Sequence, residues 1–509
     1  MKPIHFASVL LTTVAMVFGF GGTTQANDHD RPNLLIVTVD DMSCDSVGAF
    51  GCQLEGTTPN IDRLAKKSLR YKYAHVQVGN CYPSRNVMWS GRYPHNTGVE
   101  GFYQIRNTTY PHLVDSMKEA GYFVGIRGKV SHSTPYQPYA WDADLTTLDG
   151  ERQHTKNPKS YFDSTLSGIE MAEAADKPFC LNINISDPHK PFFGVDGKGN
   201  PVDDPFQPSR IYQADEVPVP GFLFDHPAVR KELALYYSSV RRADDCFGQI
   251  MKALETSGQQ ENTIVMFLSD HGMPLPFAKT ALWHHSTRTP LIIHWPGVTK
   301  PDTVDDQHVV SAVDFMPTIL DMIGQPHPKG YDGRSFIKTI RGQTQPDRDS
   351  VYKVYNENSG ANRSPMRAVD GKKFGYLFNA WSDEKRVFRT ATTGTATYRT
   401  MVELAESNPQ IADRLKHFKH STPEEFYDYE NDPDALNNLI DDPKYAKQIE
   451  AYRQKMRQYM VQSNDPILEA FDSRSNPEVV SQYVDKVQAA ATARRAKSRK
   501  NRNKKNNKK

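Results

Sequence analysis

Cysteine is scarce. Only five occur in 509 residues, at Cys44, Cys52, Cys81, Cys180 and Cys246, which excludes a small disulfide-stapled scaffold. An odd number leaves at least one thiol unpaired. Cys44 and Cys52 are near neighbours, and spacing alone does not decide whether they pair. Charge of either sign is not in excess either: 62 Lys and Arg face 60 Asp and Glu, a net of +2. That lacks the basic footprint of a nucleic-acid-binding protein. Past Phe20 no apolar run is long enough to span a bilayer. The first residues read as a leader: Lys2, then mostly apolar Val9 to Phe20, then small-residue Thr24-Gln25-Ala26, giving a signal peptide over 1–26. Its apolar core is short for a membrane span, and no cysteine near the cut offers a lipid attachment point. Secretion or periplasmic export follows, without stable membrane insertion after cleavage; an uncleaved anchor is the alternative. The whole chain is 38% hydrophobic and 24% charged, a soluble globular composition long enough for two or three domains.

Polar clusters sit where apolar strands end. Asn33 to Val39 is a continuous apolar, β-branched run that reads as a buried parallel strand, and it ends in Asp40-Asp41. Open α/β sheets bind ligands beyond the carboxyl ends of their strands. Two adjacent carboxylates there are costly to bury without a cation, and oxygen donors suit Ca²⁺ or Mg²⁺; a helix cap followed by a solvated acid is the plainer reading. Thr58-Pro59 opens a helix expected to run to about Arg70. A helix from Pro111 to Ala120 and a strand from Tyr122 to Arg127 lead into Gly128-Lys129-Val130-Ser131-His132. The strand from Lys177 to Ser186 ends in Asp187-Pro188-His189, and the one from Asn262 to Ser269 ends in Asp270-His271-Gly272. Between them lie a Pro-, Gly- and Asp-rich insertion over 194–225 and a long amphipathic helix, Val229 to Ser257, whose Leu233, Tyr236, Tyr237, Val240, Ala243 and Phe247 are core positions. From Val351 the texture changes to short strands, Val351 to Tyr355, Met366 to Val369 and Lys373 to Phe378. A helix follows Asn476, and Arg494 to Lys509, without an apolar residue after Ala496, is expected to be a disordered basic tail able to touch an anionic polysaccharide or membrane surface. The resulting units are 31–350, 351–475 and the tail 476–509.

The chain is organised around Gly79-Asn80-Cys81-Tyr82-Pro83-Ser84-Arg85, closed by Ser90-Gly91-Arg92. A cysteine at a helix start sits where free N–H groups and the helix dipole favour negative charge. Pro83 suits the first turn, and Arg85 adds a fixed cation about one turn on, which makes an anion-handling pocket.

This stretch resembles the sulfatases, whose signature is Cys-x-Pro-Ser-Arg followed by Ser/Thr-Gly-Arg. The likeness covers roughly residues 31 to 465. Pro274-Leu275-Pro276-Phe277-Ala278-Lys279-Thr280 and Ser364-Pro365-Met366-Arg367 look like the N-sulfoglucosamine sulfohydrolase (heparan N-sulfatase) branch. The resemblance implies an α/β, alkaline-phosphatase-like sandwich with a large mixed sheet, and a smaller C-terminal α+β domain with an antiparallel sheet. It implies one Ca²⁺ held by Asp40, Asp41, Asp270 and His271 beside Cys81. His271 is less expected than Asn for a hard cation. It implies that a formylglycine-generating enzyme oxidises Cys81 to formylglycine, whose hydrate is the nucleophile. Arg85 and Lys129 would steady that group, Lys129 and Lys279 clamp sulfate, His189 protonate the leaving atom, and His132 assist release. The implied substrate is a sulfated carbohydrate, carrying either an N-sulfate or a sulfate ester, with Trp283, His284, His285 and the 194–225 segment as a rim. A phosphomonoesterase of the same superfold would want Ser or Thr as nucleophile and two zinc ions. A non-catalytic glycan-binding relative would keep the basic pocket with Cys81 unmodified.

Overall fold

The computed structural model describes Met1 and residues 31–506, so the leader expected over 1–26 lies, apart from Met1, outside the described residues. An eight-stranded sheet dominates the fold. Its strands in chain order are Asn33–Asp40 (β1), Leu69–His75 (β2), Phe123–Arg127 (β3), Ala143–Asp144 (β4), Phe179–Pro188 (β5), Thr263–Ser269 (β6), Leu291–His294 (β7) and Thr303–Ser311 (β8). Across the sheet they run β8-β2-β7-β6-β1-β5-β3-β4. Every neighbouring pair is parallel except the two formed by β7.

β1 lies in the middle, and all eight of its residues are buried. This is why it reads as a continuous apolar run and not an alternating one. Its side chains still divide by face. Leu35, Val37 and Val39 join the core under helices Pro158–Ala174 and Pro227–Thr256, whereas Leu34 and Ile36 join the core under Cys81–Ser90 and Phe315–Met322. Numbered in chain order these helices are α1 (Cys81–Ser90), α2 (Pro158–Ala174), α3 (Pro227–Thr256) and α4 (Phe315–Met322). Two layers of helices on one sheet make an α/β sandwich, and the strand ends stay free for a site. All six core positions read from α3 are buried. The helix expected from Pro59 to Arg70 stops at Ala65. The next residues are pulled into β2, where Leu69 and Tyr71 bury against neighbouring strands.

A second sheet is antiparallel and four-stranded: Ser350–Glu357 (β9), Arg363–Gly371 (β10), Phe374–Asn379 (β11) and Glu424–Asp428 (β12). Three of these were legible as strands; β12 is hidden in an acidic, tyrosine-rich stretch. Helices Ala446–Gln462 (α5) and Pro477–Asn506 (α6) belong to this unit. Arg367 on β10 is wholly buried, its guanidinium forked onto Asp465 at 2.6 and 2.8 Å, and Tyr352 donates to the same carboxylate at 2.7 Å. Breaking a buried pair by removing one partner is costly. Asp465→Ala is expected to lower unfolding free energy by about 3–5 kcal/mol, read from denaturant midpoints.

The tail departs from expectation. α6 continues as helix through Asn506, covering residues 494–506 of the stretch expected to be disordered. Val480, Val484 and Ala491 are buried, Arg386 holds Asp485 at 2.7 Å, and the alanine-rich turn 489–493 favours helix. Arg494 pairs with Glu357 and lies over the Tyr103 ring at 3.9 Å. Tertiary anchoring therefore supplies what the composition lacks. No described helix is long and apolar enough to cross a membrane.

Candidate active site

The parallel strands bring their carboxyl ends to one edge, and the chemistry gathers there. Asp40 ends β1 at a register shift against β5. Asp41 follows with φ 70°, and Lys129, just past β3, has φ 53°. Left-handed backbone at non-glycine residues costs on the order of 1–3 kcal/mol each and persists where the surroundings over-determine it. Asp270 follows β6, with its N–H bonded to Val39 O at 3.2 Å.

Cys81 is the first residue of α1. The turn before it is pinned to the loop carrying Lys279: the Thr280 N–H donates to Gly79 O at 2.6 Å. A Cβ on Gly79 would lie 2.2 Å from Ser286 Oγ and 2.5 Å from Ala281 O, so only glycine allows this approach. Gly272 is confined in the same way, with a Cβ there 2.1 Å from His285 O.

Ligand-type atoms of Asp40, Cys81, Asp270 and His271 all lie within 4.8 Å of one another, as do those of Asp40, Asp41 and His189. Around them stand three cations. Arg85, fully buried, donates Nε to Asp270 Oδ2 at 3.0 Å and Nη1 to Asn184. Lys129 is ion-paired with Asp40. Lys279 reaches both oxygens of Asp41, at 2.6 and 2.7 Å. The two lysines assigned to sulfate therefore lie on the carboxylates.

These charges set the protonation states. Burial pushes the Asp40 carboxyl up, but Lys129, His189, Arg85 and Lys279 outweigh it and hold it well below the usual range. Asp41 is likewise lowered, burial being overcome by Lys279, His189 and His271. Asp270 moves the other way, raised by burial and by neighbouring Asp40 against the pull of His271 and Arg85. Burial lifts the Cys81 thiol to about 11, although Lys129 and Lys279 oppose it. A bare thiol here is protonated at neutral pH and is a poor nucleophile. His132 is driven down to about 3, first by burial and then by Lys129 and Arg85, so it is a neutral base near pH 7.

The donor set fits a hard cation. Neither oxygen of buried Asp40 accepts a well-formed hydrogen bond, despite the Lys129 ion pair. His271 Nδ1 lies 3.0 Å from Gly272 O, and its Nε2 faces Asp41 (3.2 Å) and Asp270 (3.7 Å) without a well-formed hydrogen bond. A second cluster, His75, His284 and Asp370, has one carboxylate, and it is held by a buried lysine: Lys353 Nζ is 2.5 Å from Asp370, 2.9 Å from Thr287 Oγ1 and 3.0 Å from Leu282 O.

Several functional supports were not read from sequence. Asn184 on β5 receives Arg85 and donates to the carbonyls of Arg127 and Gly128 at 3.1 Å, fixing the Lys129 turn. Asn86 on α1 donates to His132 O at 2.9 Å. Lys156 donates to His189 O at 2.9 Å and pairs with Asp187, which Arg242 also holds at 2.7 Å. The available signal was polar residues inside an otherwise apolar strand, Asn182 and Asn184.

The expected rim differs too. Trp283 is buried, donating to Glu425 at 2.9 Å and packed on Phe277 and Phe418. His284 and His285 line a cleft of about 760 Å³ with Phe222 and Tyr429, and no residue of the catalytic cluster lines it. The 194–225 insertion is irregular but docked, burying Tyr212, Val217 and Phe222. All five cysteines, Cys44 and Cys52 included, are unpaired.

The sulfatase family model matches residues 32–325, and the model of the N-sulphoglucosamine sulphohydrolase C-terminal region matches 270–388. The chain is 26% identical over 464 residues to N-sulphoglucosamine sulphohydrolase of Homo sapiens, covering 86% of this chain and 91% of that one. It is also 26% identical over 445 residues to an ulvan-active sulfatase of Formosa agariphila, covering 86% and 82%. Among solved structures, a 2-O GAG sulfatase shares the fold with a TM-score of 0.64 at 22% identity, over 88% of this chain and 96% of that chain. With a family model over more than half of its length and the motif residues gathered at one sheet edge, this chain belongs to the sulfatase family and is a sulfuric ester hydrolase.

Proposed function

We propose that this enzyme removes sulfate from a sulfated glycan, with the N-sulfate of glucosamine as the first substrate to test. One observation carries the reading: Asp40, Cys81, Asp270 and His271 converge within 4.8 Å, ringed by Arg85, Lys129 and Lys279. The N-sulfate preference rests on the C-terminal model match over 270–388. The similar identity to an ulvan-active sulfatase keeps a polysaccharide O-sulfate as the competing outcome.

Asp40, Asp41, Asp270 and His271 would hold Ca²⁺, and position 81 would carry formylglycine. A hard cation is poorly matched to sulfur, so an oxygen-bearing side chain at 81 suits this donor set better than the thiol does. Formylglycine supplies an oxygen nucleophile for sulfur, and calcium supplies positive charge against the sulfate. Three carboxylates and three cations otherwise balance, so the loaded site is net positive and fits an anionic substrate.

The chain's own residues do the rest. Arg85 is locked by Asp270 and Asn184, presenting a fixed charge beside position 81. Lys129 and Lys279, paired here with Asp40 and Asp41, would be available to the sulfate oxygens were those carboxylates to hold the cation instead. His189 keeps Nδ1–H on Lys190 O at 2.7 Å, leaving Nε2 as the atom that passes a proton to the departing oxygen or nitrogen. Neutral His132, lodged against Tyr82 and Phe102 with ring centroids 4.9 and 6.0 Å away, takes a proton during sulfate release. Export by the leader and maturation by a formylglycine-generating enzyme belong to this reading.

The test is purified, aldehyde-bearing protein assayed against N-sulfated and O-sulfated glucosamine. Release of sulfate from neither defeats the reading; release only from the O-sulfate moves the substrate assignment. His189→Ala is expected to slow sugar sulfates by about 10²–10⁴-fold, and an activated aryl sulfate far less, because a good leaving group needs no proton. Equal losses on both would remove His189 as the acid.

A further inference from the structure

The last sixteen residues, 494–509, include ten Lys or Arg and no acid. The other 52 basic residues face all 60 acidic ones, so the rest of the chain carries −8. An enzyme whose body is that negative repels a polyanion at range, while its tail attracts one.

The tail is also placed. α6 carries the run as far as Asn506, anchored by Arg494 on Glu357 and by its guanidinium 3.9 Å over Tyr103. Tyr103 follows Phe102, whose ring packs 5.8 Å from Tyr82 and 6.0 Å from His132. The same loop is tied to the His132 turn by Ile105 N–H on Pro135 O at 2.9 Å. The basic run thus starts at the loop that walls the catalytic cluster. Beyond it, Lys497, Arg499 and Lys500 are exposed and make no ion pair among the described residues. An exposed one-sign cationic helix beside the site of a sulfate-removing enzyme is built to hold the unreacted sulfates of the same substrate.

We propose that the basic end of α6 is a binding arm for sulfated polysaccharide, holding the polymer beside the catalytic cluster. This rests on the glycan-sulfatase reading. The arm binds by charge and counterion release, so it is salt-sensitive and indifferent to sugar sequence.

The test compares the full chain with a truncation after Arg495, which keeps the Glu357 and Tyr103 anchors and removes eight cations. A full-length variant with Lys497, Arg499, Lys500, Arg502, Lys504, Lys505, Lys508 and Lys509 all changed to Gln guards against a folding artefact. Both are expected to elute from immobilised heparin at lower salt, and to show KM for a sulfated polymer raised by about tenfold or more. Their kcat, and their kinetics on a monosaccharide sulfate, should stay unchanged. The salt dependence of the polymer KM should flatten. An unchanged polymer KM overturns the proposal. So does an equal rise for polymer and monosaccharide, which would mean a structural role, or tail-dependent binding to phosphatidylglycerol vesicles or DNA without effect on polymer kinetics. If the full chain hydrolyses no sulfated sugar, the activity reading fails, and heparin retention of full and shortened chains still judges the arm.

Discussion

Cys81→Ala is expected to abolish sulfate release, by about 10⁴-fold or more, while leaving the melting temperature nearly unchanged. The side chain is 5% exposed and contributes one sulfur atom at the start of α1. The helix is held by other residues: Ser84 donates to Asp270 O at 2.8 Å, Arg85 holds Asp270, and Asn86 holds the His132 turn. Deleting the thiol there removes little packing, but without it the Cβ cannot be oxidised to the aldehyde whose hydrate would be the nucleophile. The unmodified thiol is no substitute. Burial keeps it protonated, with its pKa near 11, and it stands among oxygen donors that suit a hard cation. Protein made without the aldehyde-forming step should therefore be folded and inactive, and activity should rise in proportion to the loss of titratable thiol at position 81. Wild-type turnover in Cys81→Ala would end the formylglycine reading.

Asp40→Asn is expected to be nearly as damaging, with a different signature. Asn matches the shape of Asp but loses the charge. Asp40 is wholly buried at the end of β1 and belongs both to the group with Cys81, Asp270 and His271 and to the group with Asp41 and His189. Stripping calcium with a chelator should abolish activity and lower the melting temperature of the wild type, and calcium should restore both. At a hundredfold excess over Kd, a bound cation stabilises the fold by about 2.7 kcal/mol. Asp40→Asn should lose most of that calcium-dependent increment and about 10³-fold or more in kcat/KM, since it takes a charged oxygen ligand from the cation. Indifference of both activity and melting temperature to chelation would remove the metal from the reading.

Much of the fold was legible because each signal was local. β1 and β6 are unbroken apolar runs, since a central parallel strand is buried on both faces. α3 shows its core stripe at helical spacing. Asp40, Cys81, Lys129, His189 and Asp270 stand just past strands or at a helix start, where an α/β sheet places its ligands. β2 and β12 were less legible, because a neighbouring strand, and not a strong local pattern, decides their state. The helix after Asn476 was legible and buries Val480, Val484 and Ala491; its continuation over 494–506 was not, because composition does not register an anchor such as Arg494 on Glu357.

Sequence by itself determined the family, most of the strands of the large sheet and the polar residues that gather at its edge, because these follow from residue types at fixed local spacing. Only the tertiary structure decided which groups hold them. Asn184 bridges Arg85 to the Lys129 turn, Lys156 and Arg242 brace Asp187 beside His189, and the basic helix rises next to Tyr103. Each of those contacts joins residues far apart in the chain, and pairing across such distances is set by the packing of the whole sheet and its helices, which no local pattern encodes.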